Sequence, residues 1–156
     1  MEEKKQLENL TSFLGRGWRF PVRFNQATMG EEGAEMVSDR EDIEQSLHIL
    51  LTTKIGERIM QPPYGCDVSD MLFENLTTGR ITYLRDLVET AIIEYEPRIK
   101  LYGVTVNTSA YTEGRIDILI DYVIQQTNAR HNLVHPFYRP DIPATEADNH
   151  VNNKEK

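Results

Sequence analysis

The chain has 156 residues, of which 39% are hydrophobic and 27% charged, and this length is typical of a single domain. Its 25 acidic and 17 basic residues give a formal net charge of -8. That balance argues against a nucleic-acid partner, because such binding depends on clustered Lys and Arg. The single cysteine, Cys66, excludes an internal disulfide and a multi-cysteine zinc site. We find no signal peptide and no apolar run of about 18 residues, so we expect no membrane insertion.

The first 24 residues predict a charged lead-in followed by an arm of interleaved aromatic residues, glycines and arginines. The arm follows neither helical nor strand periodicity, so its aromatic side chains must find a surface on this domain or on a partner. Trp18, Phe20 and Arg23 are its candidate contact residues. Residues 25–37 are predicted to form a loop.

A first helix is predicted to begin at Ser38-Asp39, where Glu41 completes a capping box, and to stop at Gly56. Its apolar face has the spacing of a helix and comprises Ile43, Leu47, Leu50 and Leu51. The turn residues that follow are expected to pack Met60 and Tyr64 inward. Residues 67–73 predict a short helical turn, with inward residues Val68, Met71 and Leu72.

The strongest helix is predicted from residue 77 to Glu96, where Pro97 ends it. Its apolar stripe comprises Ile81, Leu84, Leu87, Val88, Ala91, Ile92 and Tyr95.

Two strands, at residues 99–108 and 115–126, are predicted to form a hairpin through a turn over residues 107–114. The first strand is expected to place Tyr102, Val104 and Val106 on one face. The second is expected to place on one face Ile116, Ile118, Ile120, Tyr122 and Ile124. A third short strand over residues 132–139 is expected to be stopped by Pro136 or Pro140. Residues 141–156 are predicted to be disordered.

This order of elements is typical of an α+β fold, a small single domain with two to three helices packed on an antiparallel β-hairpin or sheet. We divide the chain into an N-terminal arm (1–24), an α+β domain (25–140) and a polar tail (141–156). The second face of the sheet carries Leu119 and Val123. Such a sheet invites a partner, by face contact or by strand addition at an open edge.

The sequence predicts no catalytic residue, no metal ligand set and no cofactor site. His131 and His135 are four residues apart, but a metal pair at that spacing needs a helix, which Pro136 disfavours. His48 is expected at the edge of the core, and Cys66 is expected to be buried and structural. Carboxylate pairs, as in a cell-wall hydrolase, are better explained as solvated helix faces. We therefore expect no enzyme activity.

Opposite charges flank the proline in Glu96-Pro97-Arg98. One interpretation is a local ion pair, worth less than about 1 kcal/mol if it is exposed. The other is a rigidly presented Arg98 that forks onto a carboxylate or carbonyls of a partner.

Five segments in this order resemble the baseplate-wedge and sheath-initiator family of contractile injection machines. They are Gly17-Trp18-Arg19-Phe20-Pro21, the helix from Ile43 to Leu51, Gly56 to Gly65, Glu96-Pro97-Arg98, and Asn132 to Tyr138. Members of the family occur in contractile phage tails, in type VI secretion baseplates (where the member is called TssE) and in extracellular phage-tail-like particles. The first segment is most similar to those of phage-like and extracellular particles.

The resemblance implies a structural protein whose fold is similar to the linking domain of the sheath protein. It implies docking to the wedge core through Glu96, Pro97 and Arg98, so that substitution of this motif blocks wedge assembly but leaves the domain folded. It also implies that a strand of the hairpin starts the sheath, and the residues expected to do so are Ile116, Ile118, Ile120 and Tyr122.

The partners implied are the sheath protein, baseplate wedge proteins and inner-tube or spike-hub proteins, with six copies of this chain per baseplate. The protein would be cytoplasmic during assembly and then part of the injection particle. The family also includes a regulatory anti-adaptor, so a soluble binding module with the same fold is the alternative function.

Overall fold

The protein is described from a computed structural model, which covers residues 15–25, 33–66, 68 and 76–138. The charged lead-in, most of the predicted helical turn over residues 67–73, and the predicted disordered tail lie outside the described residues. Val68 is described, and it is buried as expected.

Helix α1 runs from Asp39 to Thr52 and confirms the first predicted helix, including its buried face of Ile43, Leu47, Leu50 and Leu51. Ser38 precedes the helix in an extended conformation, but its side chain makes no capping hydrogen bond, so that part of the prediction is wrong. The helix ends at Thr52 rather than at Gly56. Thr53 has an extended backbone, and its N–H donates the last helical bond, 3.0 Å to the Ile49 carbonyl.

Helix α2 runs from Thr78 to Tyr95 and confirms the second predicted helix. The Thr77 hydroxyl caps it by accepting a bond from the Arg80 N–H. The side chains that it buries lie on the predicted stripe, and they are Leu84, Val88, Ala91 and Ile92. Since Pro97 cannot continue a helix, the chain turns at Glu96 and leaves in a new direction.

Three antiparallel strands form the main sheet: β5 (Ile99–Asn107), β6 (Arg115–Ile124) and β7 (Ala129–Tyr138), in the order β5-β6-β7. The predicted hairpin is β5-β6, closed by a short 3₁₀ turn over Tyr111–Glu113 and by Gly114, whose φ of 77° favours glycine. Strand β6 pairs on both sides, so it is the central strand.

Two strand predictions are corrected by the pairing. Tyr102 points away from the core because the register shifts between Leu101 and Gly103, and this bulge interrupts the alternation of faces. Strand β7 begins at Ala129 and continues through Pro136, so Pro136 does not stop it. Proline is tolerated there because β7 is an edge strand, where a missing N–H costs no bond if it faces away from the sheet.

The core lies between the two helices and one face of the main sheet. The five residues predicted to point inward from β6 are all buried, and they are Ile116, Ile118, Ile120, Tyr122 and Ile124. The fold is therefore the predicted α+β domain, with its helices on one face of an antiparallel sheet.

The arm forms a second, smaller antiparallel structure with the segment that precedes α1. Strand β1 (Arg16–Trp18) pairs with β4 (Met36–Ser38), and β2 (Phe24–Asn25) pairs with β3 (Gly33–Ala34). The prediction of a continuous loop over residues 25–37 is wrong where β3 and β4 form. These strands were missed because two or three residues are too few to show the alternation of a strand. Backbone bonds thus join the described part of the arm to the rest of the domain.

The loop over residues 53–66, called the tip loop below, departs from its predicted packing. Tyr64 packs partly buried against the core, as expected, but Met60 is 92% exposed. The loop closes on itself through a 2.7 Å hydrogen bond from the Gly56 N–H to the Pro62 carbonyl. The residues between these two positions therefore project away from the core.

Candidate docking site

The sharp exit from α2 places two side chains of opposite charge on the same side of the chain. Helix α2 ends at Tyr95, and the Glu96 N–H still donates to the Ile92 carbonyl at 2.9 Å. The chain then turns through Pro97 and Arg98 into β5. This turn brings the Glu96 carboxylate and the Arg98 guanidinium into direct contact.

Arg98 forms an ion cluster with Glu96 and Asp42. Its Nε and Nη2 donate to the two carboxylate oxygens of Glu96 at 2.6 and 2.8 Å, which is a bidentate pair. Its Nη1 donates to Asp42 Oδ2 at 2.5 Å. Glu96 is only 3% exposed, and the Arg98 side chain is 27% exposed. The hydrogen bonds that Arg98 donates to Glu96, and next the one that it donates to Asp42, raise the pKa of Arg98.

Of the two interpretations of this motif, the geometry favours the local ion pair over an Arg98 that forks onto a partner. The fork is occupied by Glu96 of the same chain, so the motif is an internal ion pair, and it is largely buried rather than exposed. The role of Asp42 was not predicted from the sequence, because Asp42 lies 56 residues away in the first turn of α1. The wedge-docking role of Glu96, Pro97 and Arg98 stays a prediction.

Strand β1 crosses directly over the ion cluster. A Cβ at Gly17 would lie 2.2 Å from Asp42 Oδ1, closer than any real contact. A Cβ at Gly15, where φ is +98°, would lie 3.8 Å from Arg98 Nη1. Glycines at these two positions therefore allow the arm to lie directly against the cluster.

The arm carries an exposed apolar surface, called the arm surface, made of Trp18, Phe20, Val22 and Phe24. Trp18 is 65% and Phe24 73% exposed. Arg23 lies between them and is also exposed. Clustered exposed apolar side chains mark interaction sites. The residues predicted for the contact arm, Trp18, Phe20 and Arg23, thus all reach the surface.

The arm surface is held by polar contacts at its base. Arg19 pairs with Glu35 at 2.8 Å, and the Arg19 N–H donates to the Glu35 carbonyl at 2.9 Å. The Phe20 N–H donates to Gln45 Oε1 at 2.9 Å, which ties the arm to α1. The exposed aromatic residues are therefore presented from a fixed backbone.

The four residues expected to start the sheath, Ile116, Ile118, Ile120 and Tyr122, do not lie at an open edge. They are buried, and the backbone of β6 bonds to β5 on one side and to β7 on the other. Strand addition at β6 does not fit this position, because its hydrogen-bonding groups are already used.

A contact between two distant histidines was not predicted. The Nδ1 atoms of His48 and His135 are 3.3 Å apart, and His135 is buried. Burial, and next the neighbouring His48, lower the pKa of His135 to about 4.

The described residues contain no group of three or more side chains that could hold a metal ion. No described helix is both long and apolar enough to cross a lipid bilayer.

Comparison with protein families gives one match. A family model described as Baseplate wedge protein gp25 matches residues 37–129, more than half of the chain. The matched segment includes α1, the tip loop, the ion cluster and the β5-β6 hairpin.

Two phage proteins are similar in sequence. The chain is 42% identical over 64 residues to Baseplate wedge protein gp25 of Enterobacteria phage T4, a match over 41% of this chain and 48% of that protein. It is 30% identical over 84 residues to Baseplate protein W of Escherichia phage P2, a match over 54% of this chain and 71% of that protein. The chain thus spans about half the length of the T4 protein.

Three solved structures are similar in fold. A Geobacter sulfurreducens protein described as a tail lysozyme has a TM-score of 0.61 and 42% identity, over 66% of this chain and 93% of that one. A chain of the anti-feeding prophage baseplate has a TM-score of 0.57 and 26% identity, over 90% and 98%. A chain of the post-contraction pyocin R2 baseplate has a TM-score of 0.51 and 26% identity, over 66% and 97%.

Proposed function

Since this chain belongs to the Baseplate wedge protein gp25 family, we propose that it is a structural component of the baseplate of a contractile injection machine, where it docks to the wedge core and starts the sheath. The observation that carries this proposal is the arm surface, a set of exposed apolar side chains on an arm whose strand β1 lies against the ion cluster. A surface that is apolar and already ordered loses little conformational entropy when it binds.

In this proposal the Glu96-Pro97-Arg98 motif acts indirectly in wedge docking. The ion cluster holds β1, and β1 presents Trp18 beside the remaining aromatic residues of the arm surface. Loss of the cluster would then release the arm and weaken docking, although Arg98 itself pairs within the chain.

Sheath initiation is assigned to the outer edge of β7. In the described part of the chain, no strand pairs with that edge. The register between β6 and β7 is unbroken over ten pairs, whereas β5 carries a bulge, a feature that blunts an edge. Pro136 removes one donor from the outer edge of β7, so the residues before it would supply the joining bonds. A strand of the first sheath ring would add to β7 by main-chain hydrogen bonds.

The remaining features follow the family. We propose six copies per baseplate, contacts with inner-tube or spike-hub proteins, assembly in the cytoplasm and final residence in the particle. The name tail lysozyme belongs to the Geobacter protein. Membership in a family of baseplate wedge proteins favours a structural role for this chain, without catalysis or a cofactor.

The test is purification of a tagged chain from its native host, with mass spectrometry of the proteins that come with it. The arm variant is Trp18→Ser/Phe24→Ser. The matched control is Tyr83→Ser/Ile93→Ser, which removes two exposed apolar side chains from α2. We expect wild type and control to bring down wedge and sheath proteins, and the arm variant to lose the wedge proteins. Wild-type recovery with the arm variant would overturn the docking surface. A single soluble regulator in place of baseplate proteins would overturn the function.

The sheath edge is tested in the same purification with Val134→Lys. Val134 is exposed on β7, and lysine on an edge strand opposes the addition of another strand. We expect this variant to keep the wedge proteins and to lose the sheath protein. Unchanged sheath recovery would exclude β7 as the joining edge.

A further inference from the structure

The tip loop presents two large apolar side chains almost fully to solvent. Ile59 is 93% and Met60 92% exposed, the highest values among the large hydrophobic residues that the structure describes. Ile55, in the same loop, is half exposed. A single exposed hydrophobic residue is ordinary, but adjacent ones at the tip of a loop form a patch that water solvates poorly.

The loop is held in one shape by its own backbone. The Cys66 N–H donates to the Thr53 carbonyl at 2.9 Å across the base of the loop, and the Tyr64 N–H donates to the Gln61 carbonyl at 3.1 Å. A Cβ at Gly65 would lie 2.4 Å from the Thr53 carbonyl oxygen, so the two sides of the base are in close contact. The exposed pair is thus carried by a rigid support.

The base of the loop is also anchored in the core. Cys66 is buried, and the Tyr64 ring meets Tyr95 of α2 edge-on, with centroids 5.0 Å apart. A rigid loop that is anchored in this way loses little entropy when its tip enters a pocket.

The charge of the tip differs from that of the whole chain. The loop has two basic residues, Lys54 and Arg58, and one acidic residue, Glu57, whereas the chain carries -8. The Glu57 carboxylate is used locally, accepting from the Lys54 N–H at 3.0 Å. The Arg58 guanidinium stacks 3.9 Å over Tyr64 and has no ion pair with any described residue. It is therefore a fixed donor beside the apolar tip.

We propose that the tip loop is a second docking element, which inserts Ile59 and Met60 into an apolar cleft of another baseplate protein whose border carries carboxylates that pair with Arg58. Aliphatic side chains on a narrow tip fit a cleft, and an ordered guanidinium fits a carboxylate. This inference rests on the proposed function and adds a contact separate from the arm surface.

A tip-to-tip contact between two copies of this chain does not fit, because the two Arg58 guanidinium groups would approach each other. A membrane fits less well, because the tip offers only two adjacent apolar side chains and membrane binding scales with the apolar area that is buried.

The test places a photo-crosslinking residue, p-benzoylphenylalanine, at Ile59 in the tagged full-length chain, followed by irradiation of particles purified from the native host. The control position is Ile93, which is 69% exposed on α2. We expect Ile59 to cross-link to one other baseplate protein, at peptides rich in apolar and acidic residues, and Ile93 to give no such product.

Ile59→Ser/Met60→Ser should reduce the amount of that protein recovered by about tenfold or more. Arg58→Glu should also reduce it, and Ile93→Ser should not.

Several outcomes overturn the inference. They are a cross-link only within this chain or to a second copy, no cross-link at Ile59, or unchanged recovery with the double variant. Binding of the purified protein to vesicles of phosphatidylglycerol and phosphatidylethanolamine, lost in the double variant, would assign the tip to a membrane instead. Circular dichroism must show that the variants are folded. If the wild-type chain is absent from the particles, the proposed function itself fails, whereas its presence without the Ile59 cross-link removes this inference alone.

Discussion

Replacement of Arg98 by methionine tests whether the ion cluster stabilises the domain. Methionine keeps the apolar stem but leaves Glu96, which is 3% exposed, without its cation. Breaking a buried pair in this way costs about 3–5 kcal/mol. We expect about 3 kcal/mol, the lower end, because the Arg98 side chain is 27% exposed and solvent screens part of the interaction. That is a large share of the roughly 5–15 kcal/mol by which domains are stable.

The measurement is the free energy of unfolding in urea, followed by circular dichroism. The matched control is Arg85→Met on α2, whose pairs with Asp86 and Glu89 are exposed, and we expect a change below about 0.5 kcal/mol. The double variant Glu96→Gln/Arg98→Met removes the buried charge as well, so it should recover about 1 kcal/mol or more relative to Arg98→Met. The reasoning is refuted if Arg98→Met resembles the control, or if the double variant is no more stable than the single one. A domain that loses about 3 kcal/mol in this way is less stable but stays folded, as the sequence-based expectation requires.

Two further predictions concern the arm and the histidine pair. Gly17→Ala places a Cβ 2.2 Å from Asp42 Oδ1 and should lower the free energy of unfolding in urea by about 1–3 kcal/mol, whereas Gly33→Ala, which meets nothing within 4 Å, should change it little. Equal small effects would exclude close packing of the arm on the cluster. Because the pKa of His135 is lowered from 6.5 to about 4, the unfolded chain binds the proton more tightly, and this part of the stability is lost as the pH falls from 6.5 toward 4. The free energy of unfolding should therefore fall between pH 7 and about pH 4.5 in both proteins, but by about 2 kcal/mol less in His135→Phe than in the wild type. An equal fall in both proteins would contradict a neutral His135 in the folded state.

The elements that the sequence predicted are those with long periodic patterns. Both helices bury the predicted faces, and the inward side of β6 is the predicted one. In each case many residues repeat the same spacing, so one irregular position does not alter the interpretation. Membership in the family was likewise readable, because its motifs are short segments of sequence in a fixed order.

The features that the sequence did not predict depend on contacts between distant segments. Asp42 meets Arg98 across the core, and β1 pairs with β4 although neither strand is long enough to alternate. The bulge at Tyr102 turns the side chain of this one residue to the other face of the sheet. No residue type in the sequence indicates the position of the bulge. The exposure of Met60 follows from the closure of the tip loop, which depends on backbone hydrogen bonds rather than on side-chain pattern.

Electron microscopy of gold-labelled particles shows whether this chain is a baseplate component. A tagged wild-type chain in its native host is labelled with gold, and the label is located on intact particles. We expect gold at the baseplate end of each particle, and loss of that label in Trp18→Ser/Phe24→Ser but not in Tyr83→Ser/Ile93→Ser. Gold distributed along the sheath, or particles without any label while the tagged protein remains free, would contradict it.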